Sequence, residues 1–277
     1  MNLKKLLSGL VFGTAIVAAP VHAAPILSDI VFVVDESGSM GNVQRNLRTN
    51  IGLFASILTG TGQVDAQYGL VGYGDGGVSP RMLTDFVDAD DFSTAANGLR
   101  TNGGTEPGYL ATAFALNALD GQSDLFSFRS NAVKNIIILT DEPNNPNNSS
   151  NFGTVGGANV NSSVLDSILT DNNALYNGVL RNSSTIESYS SLITGHGGTV
   201  FDLNLFNTTD TDVVTAFVTD FANKKLQETL DFCDLNPTDP ACLPTQDVPE
   251  SGTLGLLSLA LGGLVFRRRL SKFTATA

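Results

Sequence analysis

Residues Asp35-Glu36-Ser37-Gly38-Ser39 set one carboxylate and two hydroxyls at alternate positions, so a turn can aim all three at one spot. Such hard oxygen donors suit Mg²⁺, Mn²⁺ or Ca²⁺. Zinc would ask for His and Cys. Mg²⁺ keeps several waters and needs only one or two protein carboxylates, a demand this set meets. Two further oxygens belong to comparable settings. Thr105 lies in the Gly-rich turn Gly103-Gly104-Thr105-Glu106-Pro107, and Asp141 ends the apolar run before Asp141-Glu142. A competing role for Asp35 and Ser39 is simply to cap the helix that follows.

The elements around these residues must bring them together. Asp29–Val34 and Asn135–Thr140 are unbroken apolar runs, as expected of parallel strands buried on both faces. Gln67–Tyr73, Ala174–Leu180 and Thr199–Leu205 read as further strands, and Met82–Phe86 as a short edge strand. Helical spacing predicts helices over Val43–Leu58, Thr94–Leu99, Tyr109–Leu119, Val164–Thr170, Ile186–Thr194 and Thr211–Thr229. Strands alternating with helices define an α/β fold, a doubly wound and mostly parallel sheet with helices on both faces. Such sheets bind ligands at the carboxyl ends of their strands, where Asp35 and Asp141 lie. The Asn/Ser/Gly-rich stretch 143–160 is expected as a surface loop on that edge, with or without a role in binding.

With these residues in this order, the chain resembles the von Willebrand factor A domain with its metal-ion-dependent adhesion site. The family pattern is Asp-x-Ser-x-Ser, a later Thr and a later Asp, met here by Asp35, Ser37, Ser39, Thr105 and Asp141. The resemblance covers most of residues 29–230. It implies that Ser37, Ser39 and Thr105 coordinate the cation, while Asp35 and Asp141 act mainly through water and by holding the hydroxyls. It also implies that a carboxylate from a protein partner completes the coordination shell. Glu36 and Glu142 have no coordinating role in the pattern and are expected as solvated surface acids.

The two ends read as addresses. Lys4-Lys5, an apolar run from Leu6 to Pro20 and the small-residue site Val21–Ala24 form a secretory signal peptide, residues 1–23, with a buried N-terminal helix as the bland alternative. At the other end, Val248-Pro249-Glu250 and Gly252-Thr253 precede the apolar segment 254–266 and the cluster Arg267-Arg268-Arg269. Thirteen residues span roughly 20 Å as a helix, against about 30 Å for the hydrocarbon core, which suits a transient stop. This tail, residues 251–277, resembles the PEP-CTERM sorting signal, with Ser251 where the family has its second proline. The resemblance implies processing by an exosortase, transient inner-membrane association, attachment at or release from the cell surface, and an association with extracellular polysaccharide matrix. A simple membrane anchor is the alternative.

Between the ends, one domain is expected over 25–232 and a disulfide loop with linker over 233–250. In an exported chain, Cys233 and Cys242 would pair. The whole chain has 15 basic and 27 acidic residues, a formal charge of −12. Six of the basic residues lie in the two ends, so the body alone carries nine and stands near −18. That balance argues against nucleic acid and favours divalent cations. No Gly-x-Ser-x-Gly elbow is present, and beyond His22 the chain has one histidine, His196, so no enzyme activity is expected. Asp75, in Gly74-Asp75-Gly76-Gly77, reads as a turn residue near the same rim, and His196 as a turn residue. The Asn-x-Ser/Thr triplets that begin at Asn147, Asn161, Asn182 and Asn207 read as polar loop composition. The functional expectation is an exported surface protein that adheres through a cation. A matrix component in which the cation only stabilises the fold is the alternative.

Overall fold

The computed structural model describes residues 24–74, 79–145 and 153–243. The expected signal peptide, the sorting tail and Asp75 lie outside these residues. In chain order the elements are β1 (Ile26–Asp35), α1 (Gly41–Thr59), β2 (Val64–Tyr73), β3 (Arg81–Val87), α2 (Ala89–Ala95), α3 (Gly108–Ala115), β4 (Ala132–Thr140), α4 (Ser162–Asp171), β5 (Leu175–Leu180), α5 (Ser183–Gly195), β6 (Val200–Asp202) and α6 (Thr211–Leu235). The six strands form one sheet in the order β3-β2-β1-β4-β5-β6. All neighbours are parallel except the β2–β3 edge pair. This is the doubly wound α/β sheet read from the sequence.

The period of two along a strand divides the core. On β1, Ile30, Phe32 and Val34 face a layer with α1, α2 and α6. Val31 and Val33 face the opposite layer, which holds α3, α4 and α5. The first layer is rich in aromatics. Phe32, Phe54, Tyr68 and Phe92 make edge-on or tilted pairs at 5.3–6.2 Å, favourable beyond their area burial. Among the described residues, no helix is long and apolar enough to cross a membrane.

Several element boundaries differ from the sequence reading, and three of the differences have a visible cause. Asp88 accepts hydrogen bonds from the backbone N–H groups of Asp90 and Asp91, so α2 starts at Ala89, five residues before the expected Thr94. The last strand ends at Asp202, because that side chain accepts from Asn204 N and turns Leu203–Leu205 into a 3₁₀ helix. The last helix runs on to Leu235 and carries Cys233 within it. Its polar run hid this continuation. Lys225 is fully buried there, with its ammonium donating to Asn135 Oδ1 and Glu228 Oε2 at 2.8 Å each. Glu228 Oε1 also accepts from Thr199 Oγ1 at 2.6 Å, so neither buried charge lacks a partner. Cys233 and Cys242 are bonded, as expected, and pack with Ile26, Val133, Leu175 and Phe232 at the amino-terminal edge of the sheet.

Candidate metal site

The chain winds from β1 outward to β2 and β3, then returns to β4 and winds the other way through β5 and β6. The direction reverses between β1 and β4, and in open α/β sheets the ligand crevice opens at the carboxyl end of that reversal. Asp35 ends β1 and Thr140-Asp141 ends β4 at this place. The register pairs Val34 with Leu139, which sets Asp35 beside Thr140.

Asp35 is completely buried. Its Oδ1 accepts from Ser37 N at 2.7 Å and its Oδ2 from Thr140 Oγ1 at 2.9 Å. The first bond folds the turn after β1 and swings the Ser37 and Ser39 hydroxyls toward β4. Ser39 Oγ donates to Asp141 Oδ1 at 3.0 Å, Ser37 Oγ lies 3.5 Å from the same oxygen, and the two hydroxyls are 3.1 Å apart. Burial pushes the Asp35 carboxyl up to about 7 against the lowering effect of its donors. Glu106, also buried, is pushed up to about 7 by desolvation and by the nearby Glu142 and Asp141 carboxylates.

Asp141 is fixed from three sides. Its backbone carbonyl accepts from Asn182 Nδ2 and Thr185 Oγ1 at the start of α5. Its Oδ2 accepts from Arg181 Nη1 at 2.7 Å, and its Oδ1 faces the serines. The same Asn182 side chain caps α5 through Thr185 N, so one residue starts α5 and holds the site.

Thr105 is placed through its backbone. Gly103 N donates to the Glu36 carbonyl, and Ser37 and Gly103 form a short parallel bridge. Gly104 N donates to the carbonyl of Gly74, whose φ of 91° ends β2 in a turn that a side chain would strain. A Cβ built on Gly74 would stand 3.2 Å from the Thr105 carbonyl and 3.6 Å from Asp35 Oδ1, so the Thr105 backbone borders the Asp35 carboxylate. Among the described residues, no hydrogen bond ties the Thr105 hydroxyl to the other four candidates. Asp35, Ser37, Ser39 and Asp141 thus form one bonded cluster, and Thr105 adjoins it.

Glu36 is a correction. It is not a solvated acid but fully buried, forming an ion pair with Arg81 and accepting from Arg100 N at 2.7 Å. Its carboxylate lies against the bare backbone of Gly72, where an added Cβ would meet it at 2.7–2.9 Å. Gln44 reinforces the same joint by donating to the carbonyls of Asp35 and Arg100. Glu142 is exposed, as expected. The 143–160 loop begins at this edge, with Asn145 N donating to the Glu106 carbonyl and Asn144 Oδ1 accepting from Tyr109 N. His196 caps the end of α5 at the opposite edge and bonds Asp166 at 2.9 Å. It borders a concavity of about 480 Å³ that is remote from the oxygen cluster.

The donor set fits a hard divalent cation. Octahedral ligands at about 2.1 Å from Mg²⁺ stand about 3 Å apart. The Ser37, Ser39 and Asp141 oxygens are separated by 3.0–3.5 Å. Among the described residues, no group of three or more His, Cys, Asp or Glu forms a metal cluster, and the set depends on hydroxyls. Sequence reasoning missed Arg181, Thr140 and the coupling role of Glu36. Arg181 was within reach, since it directly follows the apolar strand β5 on the edge that the doubly wound rule selects.

A search of curated proteins finds no match. Among solved structures, the chain is similar to the vWF domain of the type V pili tip protein Mfa5 from Porphyromonas gingivalis, at 22% identity and a TM-score of 0.34. That similarity covers 44% of this chain and 40% of the other. The sequence model of the von Willebrand factor type A domain matches residues 29–192, from β1 to within α5. This stretch carries all five candidate oxygens and more than half of the chain, and the chain belongs to the von Willebrand factor type A domain family.

Proposed function

We propose that this chain is an exported surface protein whose A-type domain binds a divalent cation and through it grips a carboxylate of a protein partner. The observation that carries the reading is the cluster of Asp35, Ser37, Ser39 and Asp141 oxygens at the reversal point of the sheet. Ser37, Ser39 and Thr105 would hold Mg²⁺, or Mn²⁺ or Ca²⁺ in its place, with Asp35 and Asp141 supporting from behind. When bound, the cation supplies a Lewis-acidic position open to an anionic oxygen. The chain's own part is to fix the hydroxyls. Thr140 and Ser37 N hold Asp35, and Asn182, Thr185 and Arg181 hold Asp141.

The reading is one of binding, not catalysis. His196, the histidine a serine hydrolase would need, stands at the other edge of the sheet from Ser37 and Ser39. The terminal segments support export, exosortase processing with transient inner-membrane association, and a place in the envelope or the extracellular polysaccharide matrix. Isothermal titration of the purified protein with Mg²⁺ and Mn²⁺ tests the cation. Saturable binding lost in Asp35→Ala is expected, and heat-flow traces identical for the two proteins would end the proposal.

A further inference from the structure

Arg181 has no counterpart in the five-oxygen pattern, yet its guanidinium touches the site. Nη1 donates to Asp141 Oδ2 at 2.7 Å, while Asp141 Oδ1 faces the two serines. The cation position and the guanidinium are therefore separated by the width of one carboxylate. Asp141 is buried, but the Arg181 side chain is 44% exposed, so its other N–H groups face the solvent from which a partner arrives. The base of the side chain is fixed, because the Arg181 carbonyl accepts from Asn204 Nδ2 at 3.1 Å.

Charge explains the need for such a group. Asp35, Asp141, Glu106 and Glu142 gather around the site. An edge lined by four carboxyl groups is a poor surface for a fifth. Glu36 does not add to this excess, being paired with Arg81. A guanidinium fork neutralises Asp141 and can donate in parallel to an incoming carboxylate.

We propose that Arg181 is a specificity-determining residue of this site, a second cationic anchor that grips the partner's carboxylate together with the ion. The inference rests on the cation-dependent reading above and goes beyond it by naming the residue that selects an anionic ligand. A residue that only positioned Asp141 would show its loss in cation affinity. A ligand anchor shows it in carboxylate affinity at saturating cation.

The test uses Mn²⁺ and acetate as probes, read by water proton relaxation. Bound Mn²⁺ raises the relaxation rate, and a carboxylate that displaces its water lowers it. In Arg181→Gln two changes oppose each other in Mn²⁺ affinity, the loss of a neighbouring positive charge and the loss of a bond that holds Asp141, so acetate is titrated at a Mn²⁺ level that saturates each variant. The acetate midpoint at saturating Mn²⁺ should rise at least about tenfold, the loss of a charged hydrogen bond. Arg181→Lys, which keeps charge without the fork, should fall between. An unchanged acetate midpoint at saturating Mn²⁺, or no displacement of water by acetate in the natural protein, would overturn the anchor while leaving cation binding standing. No Mn²⁺ binding at all would overturn both.

Discussion

The Thr140 hydroxyl, at the end of β4, donates to Asp35 Oδ2, at the end of β1, at 2.9 Å. It joins the two strands at the reversal point and supplies a buried carboxylate with one of its two donors. Thr140→Val keeps the shape and removes the donor. Leaving Asp35 under-satisfied should cost about 1–3 kcal/mol. Melting should shift down by several degrees in a domain of this size. Cation affinity should fall as well, because the Asp35 carboxylate loses its fixed orientation. Scanning calorimetry with and without Mg²⁺ checks both.

Gly72 gives Glu36 its place. In Gly72→Ala the new methyl would meet the Glu36 carboxylate at 2.7–2.9 Å, and Arg81 and the 98–105 segment would have to move with it. A loss of about 1–3 kcal/mol is expected, as for other overpacked positions. Weaker cation binding should accompany it, since the segment carries Thr105. Gly52→Ala is the contrast. Gly52 lies inside α1 and a Cβ there meets nothing within 4 Å. That substitution should raise stability by about 0.5–1 kcal/mol. Denaturant titration of the two variants decides, and equal midpoints would refute the packing account.

The Cys233–Cys242 bridge closes a short loop at the edge remote from the oxygen cluster. The loop-entropy model assigns such a bridge about 2–3 kcal/mol. The paired Cys233→Ser, Cys242→Ser protein should lose that much in urea unfolding. Its Mg²⁺ affinity should equal that of the natural protein, and a changed affinity would show that the two edges communicate.

Burial holds the phenols of Tyr68, Tyr73, Tyr176 and Tyr189 above their ordinary value of 10.0. A folded-state value raised above the unfolded one stabilises below pH 10.0 and loses that contribution as pH rises. Each group contributes a slope of about 1.4 kcal/mol per pH unit, so four give roughly 5. Buried Lys225 acts in the opposite sense, its ammonium held below 10.5, but it is one group and its effect ends at 10.5. Above that pH the fold should unfold cooperatively. Tyrosinate absorbance from these four should appear with the loss of circular dichroism, and a gradual rise in a folded protein would contradict their burial.

The order of the site residues and the class of the fold were legible in the sequence. The apolar runs of β1 and β4 can only be strands buried on both faces, and each ends in an aspartate. Local pattern also predicted most helices. It failed where a partner far along the chain decides. The polar run from Asn223 to Asp231 looks like the end of a helix, and only Asn135 and Thr199, brought alongside by the sheet, satisfy Lys225 and Glu228 so that α6 continues to Leu235. Glu36 looks solvated because its partners Arg81 and Arg100 are 45 and 64 residues away. Arg181 became part of the site for the same reason, its partner Asp141 being 40 residues distant. The sequence alone determined which oxygens are available and that the two aspartates stand at strand ends. Tertiary structure decided which carboxylates are buried, which are neutralised and where the one exposed guanidinium on Asp141 points. Those outcomes depend on contacts across the sheet that no local pattern encodes.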